Sequence, residues 1–300
     1  MKIYYLITSL RPRHWIKNLL VFLAPLLTFE LNNEVWSAAF ISFIVFNFSA
    51  SSIYLLNDTI DYESDRSHPK KRLRPIAAGK LSRINAIISS LFLLFCSLTL
   101  SFKINIFLFL IVVLYYLIQI LYCLELKKKP LLDIFCIAAG FLLRSISGGV
   151  ASGIFISPWF ILSVGLLALF LALEKRKTEL RYYEISGINT RKVLDNYSMP
   201  LLLRLESIVS TGSFITYSLW ASGPALGGAS TNWMLLTVPI VLFGIFRYQF
   251  LSDPALRKKQ VNRESNIDCE NPVNTFFYDK GMIAIVSSWL ITAFTISAFN

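Results

Sequence analysis

Apolar stretches close to bilayer-spanning length recur along almost the whole chain, and few architectures can accommodate that pattern. They fall at about 19–31, 36–56, 84–102, 104–124, 131–151, 157–173, 205–222, 233–250 and 282–299, against the roughly 20 residues that a helix needs to cross the hydrocarbon core. The first mixes an amphipathic opening, "RPRHWIKN", with a short apolar run that contains Pro25. A chain of 300 residues that is 55% hydrophobic, with a mean hydropathy of +0.59 and a formal net charge of +11, is not built like a soluble domain. The pattern predicts an all-α integral membrane protein: nine transmembrane helices in one domain over 1–300, bundled around a central cavity open to the cytoplasm.

Lysine and arginine set the orientation, because cytoplasmic flanks retain them. With the N-terminus inside, 26 of the 29 cations fall in inner segments. Of the others, Lys103 lies in an outer turn, and Arg144 and Arg204 lie in or at the edge of apolar segments. A multi-pass protein of the inner, or plasma, membrane is expected, with its N-terminus and polar site in the cytoplasm. No cleavable signal is expected, since Arg11, Arg13, His14 and Lys17 occupy the place of an apolar core. The positive charge follows from topology and from anionic lipid headgroups, and does not call for nucleic acid. Cys96, Cys123, Cys136 and Cys269 lack C-x-x-C spacing and read as reduced thiols. His14 and His68 are too isolated to pair on a metal. A homo-oligomer is compatible with the sequence, and the long polar segment 257–280 is of a length that is more often functional than idle.

The second apolar segment runs into "YLLNDTIDYESDRSHPKKRLRPIAAGKLS". If its helix continues, Asn57, Asp61 and Asp65 lie at i, i+4 and i+8, with Asp58 three residues before Asp61, so all four share a face. Glu63 falls off it. Carboxylates stacked in this way repel unless a cation sits among them. Either the acids pair with the following arginines as a solvated helix end, or they hold Mg²⁺, which favours a carboxylate or two plus substrate phosphates. The spacing favours the metal. Pro69 and Pro75 break helix, so Lys70, Arg72 and Arg74 sit on a loop that can fold back over the acids and bind phosphate oxygens. Together they suggest a Mg²⁺-diphosphate site.

A second charged helix end, "LFLALEKRKTELRYYEISG", leaves the membrane on the same expected side and can meet the first over one cavity. Arg144, deep in the fifth span, is costly there; it faces either an anion or an acid such as Asp133 or Glu206. Gly148 and Gly149 allow close helix packing. Arg13, Lys17 and Asn18 open the first span, as interfacial anchors or as further phosphate ligands. No nucleophilic Ser/His/Asp pattern or Walker loop is legible.

The N-D-x-x-D-x-x-x-D run at Asn57, Asp58, Asp61 and Asp65 resembles the first signature of the UbiA superfamily of intramembrane prenyltransferases, a UbiA-like nine-helix bundle. "LRPRHWIKNLLVFLAPL", "LDIFCIAAGFLLRSISGGVASG", "SPWFILSVGLLALFLALEKRKTEL" and "FRYQF" are similar to its decaprenyl-phosphate phosphoribosyltransferase branch along nearly the whole chain. Where prenylating members carry a second D-x-x-x-D, this chain has "EKRKTEL", whose Lys175, Arg176 and Glu179 match the branch's K-R-x-x-E. The resemblance implies transfer of a 5-phosphoribosyl group from phosphoribosyl diphosphate to a polyprenyl phosphate lipid. It implies Mg²⁺ on Asn57, Asp58, Asp61 and Asp65, and catalytic roles for the three aspartates and Glu179. Lys17, Asn57, Lys70, Arg72, Arg74, Arg144, Lys175 and Arg176 would bind substrate. Two alternatives stay open: prenyl transfer to an aromatic acceptor, and a phosphometabolite transporter, which would show internal repeats with broken helices.

Overall fold

The computed structural model describes residues 2–28, 32–67, 71–187, 191–252 and 279–299, and these are helical with no strand among them. The expectations on His68, Lys70, Cys269 and most of 257–280 lie outside the described residues. The helices are α1 (Lys2–Leu10), α2 (Leu23–Thr28), α3 (Asn33–Ile60), α4 (Tyr62–Ser67), α5 (Arg83–Ile104), α6 (Ile106–Leu124), α7 (Leu132–Ala151), α8 (Pro158–Ser186), α9 (Met199–Ala221), α10 (Val238–Ser252) and α11 (Lys280–Ala298). A 3₁₀ segment, Pro12–Phe22, leads into α2, and another, Asn232–Thr237, leads into α10.

Seven segments among the described residues are long and apolar enough to span a bilayer: α3, α5, α6, α7, Pro158–Glu184 of α8, Asn232–Ser252 and α11. The expected spans at 19–31 and 205–222 are not among them. Of the first, residues 19–28 are divided between the end of the 3₁₀ run and the short α2, and 29–31 lie outside the described residues. The second lies within α9, which carries Arg204 and Glu206 near its start.

Helix boundaries follow local chemistry. Asn32, Ser82, Asn105, Ser198 and Asp279 accept a backbone N–H at the starts of α3, α5, α6, α9 and α11. Pro158 opens α8, and Gly187, with φ 68°, closes it in the left-handed region that glycine tolerates best.

The chain forms two compact units. Unit 1 comprises residues 1–26, 30–127 and 143–155. Its core gathers Val45, Phe46, Leu108, Val112 and Tyr115 from α3 and α6, with Val21 of the 3₁₀ run. Serines let α3 approach its neighbours: Ser52 and Ser90 each donate to the other's carbonyl at 2.9 Å, and Ser42 donates to Ser147 at 3.2 Å. Small polar contacts of this kind hold helices together where lipid removes the hydrophobic drive. The outward side of α5 shows Ile88, Leu91, Phe92 and Phe95, as a lipid-facing helix should.

Unit 2 comprises residues 27–29, 128–142 and 156–300. One cluster joins Ile134 of α7, Leu173 and Leu180 of α8, Leu194, and Leu202 of α9. Another joins Phe170, Ile245, Tyr248 and Met282 from α8, α10 and α11.

Candidate functional site

In unit 1 the polar end begins where α3 stops. Asp61 interrupts the helix as a turn, yet its N–H still bonds Asn57 O and the Asp65 N–H bonds Asp61 O, both at 2.8 Å. The i, i+4, i+8 register therefore continues into α4. The four side chains do not act as one set, because each carboxylate takes a cation. Asp58 and Asp65, each 2% exposed, converge on Arg74: Nη1 donates to Asp58 Oδ1 at 3.0 Å and to Asp65 Oδ2 at 2.6 Å. Asp58 Oδ1 also accepts from Arg11 Nη2 at 2.6 Å. Asp61 turns instead to Lys127 Nζ, at 2.6 Å. Burial holds the Asp65 carboxyl above its ordinary value of 3.8, against the pull of Arg74.

Arg74 reaches the acids because the loop folds back as expected, through the 3₁₀ turn Lys71–Leu73 and the turn that Gly79 completes at φ 72°. Arg72 is exposed, Lys71 and Asn57 are half-buried, and Glu63 points outward. The reading in which the acids pair with the following basic loop thus holds for Arg74. It does not exclude a metal. Two hard-oxygen ligands bonded to a single guanidinium nitrogen suit Mg²⁺, which takes few protein carboxylates and completes its shell with phosphates and water. Among the described residues no three acids, histidines or cysteines gather into a ready-made cage.

Arg11 was not legible as a site residue. It holds a left-handed backbone, φ 55° and ψ 58°, just before Pro12, a conformation costing a side-chain-bearing residue about 1–2 kcal/mol. Its guanidinium lies over the Tyr54 ring, 5.0 Å from the centroid. Trp15 Nε1 donates to Ser51 Oγ at 3.0 Å, and Ser51 donates to Leu10 O at 3.1 Å, which seats the N-terminal turn on α3.

Deeper in unit 1, Arg144 donates from Nε to Asn18 Oδ1 at 2.6 Å and from Nη2 to Tyr115 OH at 2.7 Å. Asn18 Nδ2 in turn donates to Asn47 Oδ1 at 2.6 Å. The two acids suggested for Arg144 are engaged in unit 2: Asp133 with Arg176 and Tyr197, Glu206 with Lys177 and Gln249. Gly148 has the packing role expected of it, for a Cβ there would lie 1.9 Å from Val21 O. Lys17, half-buried, and exposed Arg13 ride on the same 3₁₀ run.

In unit 2 the "EKRKTEL" segment forms an ion network. Arg176, with no exposed surface, donates from Nε to Asp133 Oδ2 at 2.5 Å and from Nη1 to Glu179. Glu179 also faces Arg191, 3.5 Å away. Tyr197 OH donates to Asp133 Oδ1 at 2.6 Å and accepts the Leu131 N–H at 2.6 Å. Burial and the Asp133 carboxylate push the Tyr197 phenol up, so it remains a donor. Leu131, at φ 66°, is pinned by that bond. Sequence alone offered Arg176 to substrate; the fold engages its guanidinium with two carboxylates of the protein. Lys175 is half-buried on the same helix. Next to it, Lys177 bridges Glu174, at 2.9 Å, and Glu206, which also accepts from Gln249 at 2.9 Å. The remaining cysteines fit expectation: Cys123 and Cys136 are buried free thiols and Cys96 is half-buried.

Similarity to known proteins bears on both units. The chain is 38% identical over 255 residues to the decaprenyl-phosphate phosphoribosyltransferase of Mycolicibacterium smegmatis, covering 81% of this chain and 80% of that one. It is 38% identical over 251 residues to the Corynebacterium glutamicum protein of the same name, covering 81% and 75%. A solved UbiA homolog from Archaeoglobus fulgidus, bound to GPP and Mg²⁺, matches with a TM-score of 0.69 at 19% identity, over 97% of this chain and 99% of that one. At that identity the likeness speaks for the fold. The UbiA prenyltransferase family model matches residues 19–264, and the chain belongs to that family.

Proposed function

We propose that the chain is a polyprenyl-phosphate phosphoribosyltransferase, moving a 5-phosphoribosyl group from phosphoribosyl diphosphate onto the phosphate of a polyprenyl lipid with release of diphosphate. The observation that carries this reading is the meeting of Asp58, Asp65 and Arg74 at the polar end of unit 1, where acids and a phosphate-binding guanidinium occupy one spot. The names of the relatives support it, and so does "EKRKTEL" in place of a second aspartate pair.

Asp58 and Asp65, with Asn57 and Asp61 beside them, would hold Mg²⁺. When bound, the ion neutralises the charge that gathers on a departing diphosphate. Arg74 and Arg72, with Lys70 and Lys17, supply cations for the donor's phosphates. Lys175 and Glu179 are proposed as donor contacts from their own segment, with Arg176 holding Glu179 in place. Arg144 fixes Asn18, and through it the 3₁₀ run that carries Lys17.

The acceptor is already an anionic phosphate, so it needs positioning more than deprotonation. One displacement forms the bond from lipid phosphate oxygen to anomeric carbon and breaks the bond to diphosphate, turning an α-linked donor into a β-linked product. The lipid tail is proposed to lie between spans, with nine spans in all and the polar ends facing the cytoplasm. The retention of 26 of 29 cations in segments on one side supports that orientation. Lys127 on Asp61 supports it too, by placing two of those segments at one end of unit 1.

The test is to incubate membranes containing the chain with labelled phosphoribosyl diphosphate, Mg²⁺ and polyprenyl phosphate. Labelled lipid is expected. If none forms, while a prenyl diphosphate and an aromatic acid react, the assignment is wrong.

A further inference from the structure

We propose that Arg11 and Arg74 are resident counter-ions of the Asp58–Asp65 pair and are exchanged for metal only when diphosphate arrives. The site would then take the cation and the anion together, and would bind the cation poorly by itself. The inference rests on the reading of Asp58 and Asp65 as the metal-holding acids.

Buried carboxylates cannot stay ionised without positive charge beside them. Here that charge comes from the protein: Arg11 and Arg74 both bond Asp58 Oδ1, and Arg74 also bonds Asp65. Two acids and two guanidiniums sum to zero. A dication added alone leaves the cluster with surplus positive charge in a site whose acids are almost fully buried, whereas a dication with diphosphate supplies anionic oxygens for the guanidiniums it displaces. The geometry allows that movement. The acids are 2% exposed, but Arg11 and Arg74 are 22% and 26% exposed, so each guanidinium has a path off the carboxylates.

Arg11 is the residue built for release. It reaches Asp58 from 47 positions away in sequence, from a left-handed backbone at the start of a 3₁₀ run. The Asp58 bond and the Tyr54 ring are contacts that hold this side chain over the acids. Once Asp58 takes a metal, the guanidinium is free to follow the phosphate oxygens. Coupling of this kind is reciprocal, so metal and diphosphate each tighten the other by the same factor, about 10- to 100-fold for couplings of ordinary size.

The experiment measures Mn²⁺ binding to the purified full-length protein in detergent by electron paramagnetic resonance, at matched free Mn²⁺, with and without inorganic diphosphate. Arg11→Gly is the informative variant, because glycine is at ease at φ 55° and the turn survives while the guanidinium is lost. In the wild type, diphosphate is expected to tighten Mn²⁺ at least about tenfold. In Arg11→Gly, Mn²⁺ alone should bind several-fold more tightly and the gain from diphosphate should shrink. The exchange is overturned if the wild type binds Mn²⁺ equally well without diphosphate, or if Arg11→Gly changes neither value. Asp58→Asn separates the two readings. If it abolishes Mn²⁺ binding while Arg11→Gly has no effect, the metal site stands and the exchange fails; if it leaves binding intact, the metal assignment itself fails.

Discussion

Replacing Arg176 with methionine separates two roles that sequence alone could not distinguish. In the fold its guanidinium lies against Asp133, at 2.5 Å, and Glu179, and neither Arg176 nor Asp133 has exposed surface. Methionine keeps much of the apolar stem and removes the charge. Asp133 would retain Tyr197 as a donor but lose its cation, and Glu179 would retain Arg191. Leaving one partner of a buried pair uncompensated costs about 3–5 kcal/mol, and with each kcal/mol worth roughly 2–4 °C in a large domain, Tm should fall by roughly 6–20 °C. Adding Asp133→Asn, which removes the stranded charge and keeps an acceptor for Tyr197, should restore at least half of that loss. Fluorescence-detected size exclusion after heating in detergent gives Tm, and donor binding is measured on the same samples. A Tm within about 2 °C of wild type, with donor affinity reduced tenfold, would refute the reasoning and make Arg176 a substrate ligand.

Two further perturbations test the supports of the site. Gly148→Ala places a Cβ 1.9 Å from Val21 O, one turn from Arg144, and should lower stability by about 1–3 kcal/mol. Turnover should fall with it as Asn18 and Lys17 shift. Gly165→Ala, whose Cβ meets only Leu142 Cδ2 at 3.7 Å, is the matched control and should be tolerated; equal Tm values for the two variants would contradict the packing argument. At α11, Asp279 caps the helix by accepting the Met282 N–H at 2.8 Å and pairs with Arg247 at 3.0 Å. Burial alone would raise its pKa, but the Arg247 contact wins and holds the carboxyl below its ordinary 3.8. Because the folded value lies below the unfolded one, the ion pair stabilises above that ordinary value, and its contribution disappears as pH falls through the folded value. Asp279→Asn, which keeps a cap, should therefore lose up to about 1 kcal/mol near neutrality and converge on wild type in acid. A difference that is constant with pH would exclude the ion pair.

The apolar periodicity reveals α3, α5, α6, α7, α8 and α11 because each helix must satisfy its own backbone bonds across the bilayer. The acids at the end of α3 were legible from their spacing, which stacks Asp58, Asp61 and Asp65 on one helix face where they repel unless a cation sits among them. Arg74 was legible too, lying nine residues beyond Asp65 on a loop that two prolines keep out of helix. What escaped were partners that only the fold supplies. Arg11 comes to Asp58 from 47 residues away, Lys127 to Asp61 from 66, and Tyr197 to Asp133 from 64. Arg11 gave one weak signal, the neighbouring proline; nothing local marks a left-handed residue there. Arg144 was recognisable as an expensive residue, but its bonds to Asn18, 126 positions away, and Tyr115 came only with the packing of α6, α7 and the 3₁₀ run. The 3₁₀ winding at the opening of the first expected span was not legible, because an apolar run does not reveal it.

Diphosphate release by the purified protein given phosphoribosyl diphosphate and Mg²⁺, followed with and without polyprenyl phosphate, tests phosphoribosyl transfer to the lipid most directly. Phosphoribosyl transfer to the lipid requires release only when the lipid phosphate is present, with one phosphoribosyl-lipid formed per diphosphate. Release without lipid, or no release while a prenyl diphosphate is consumed, would contradict it.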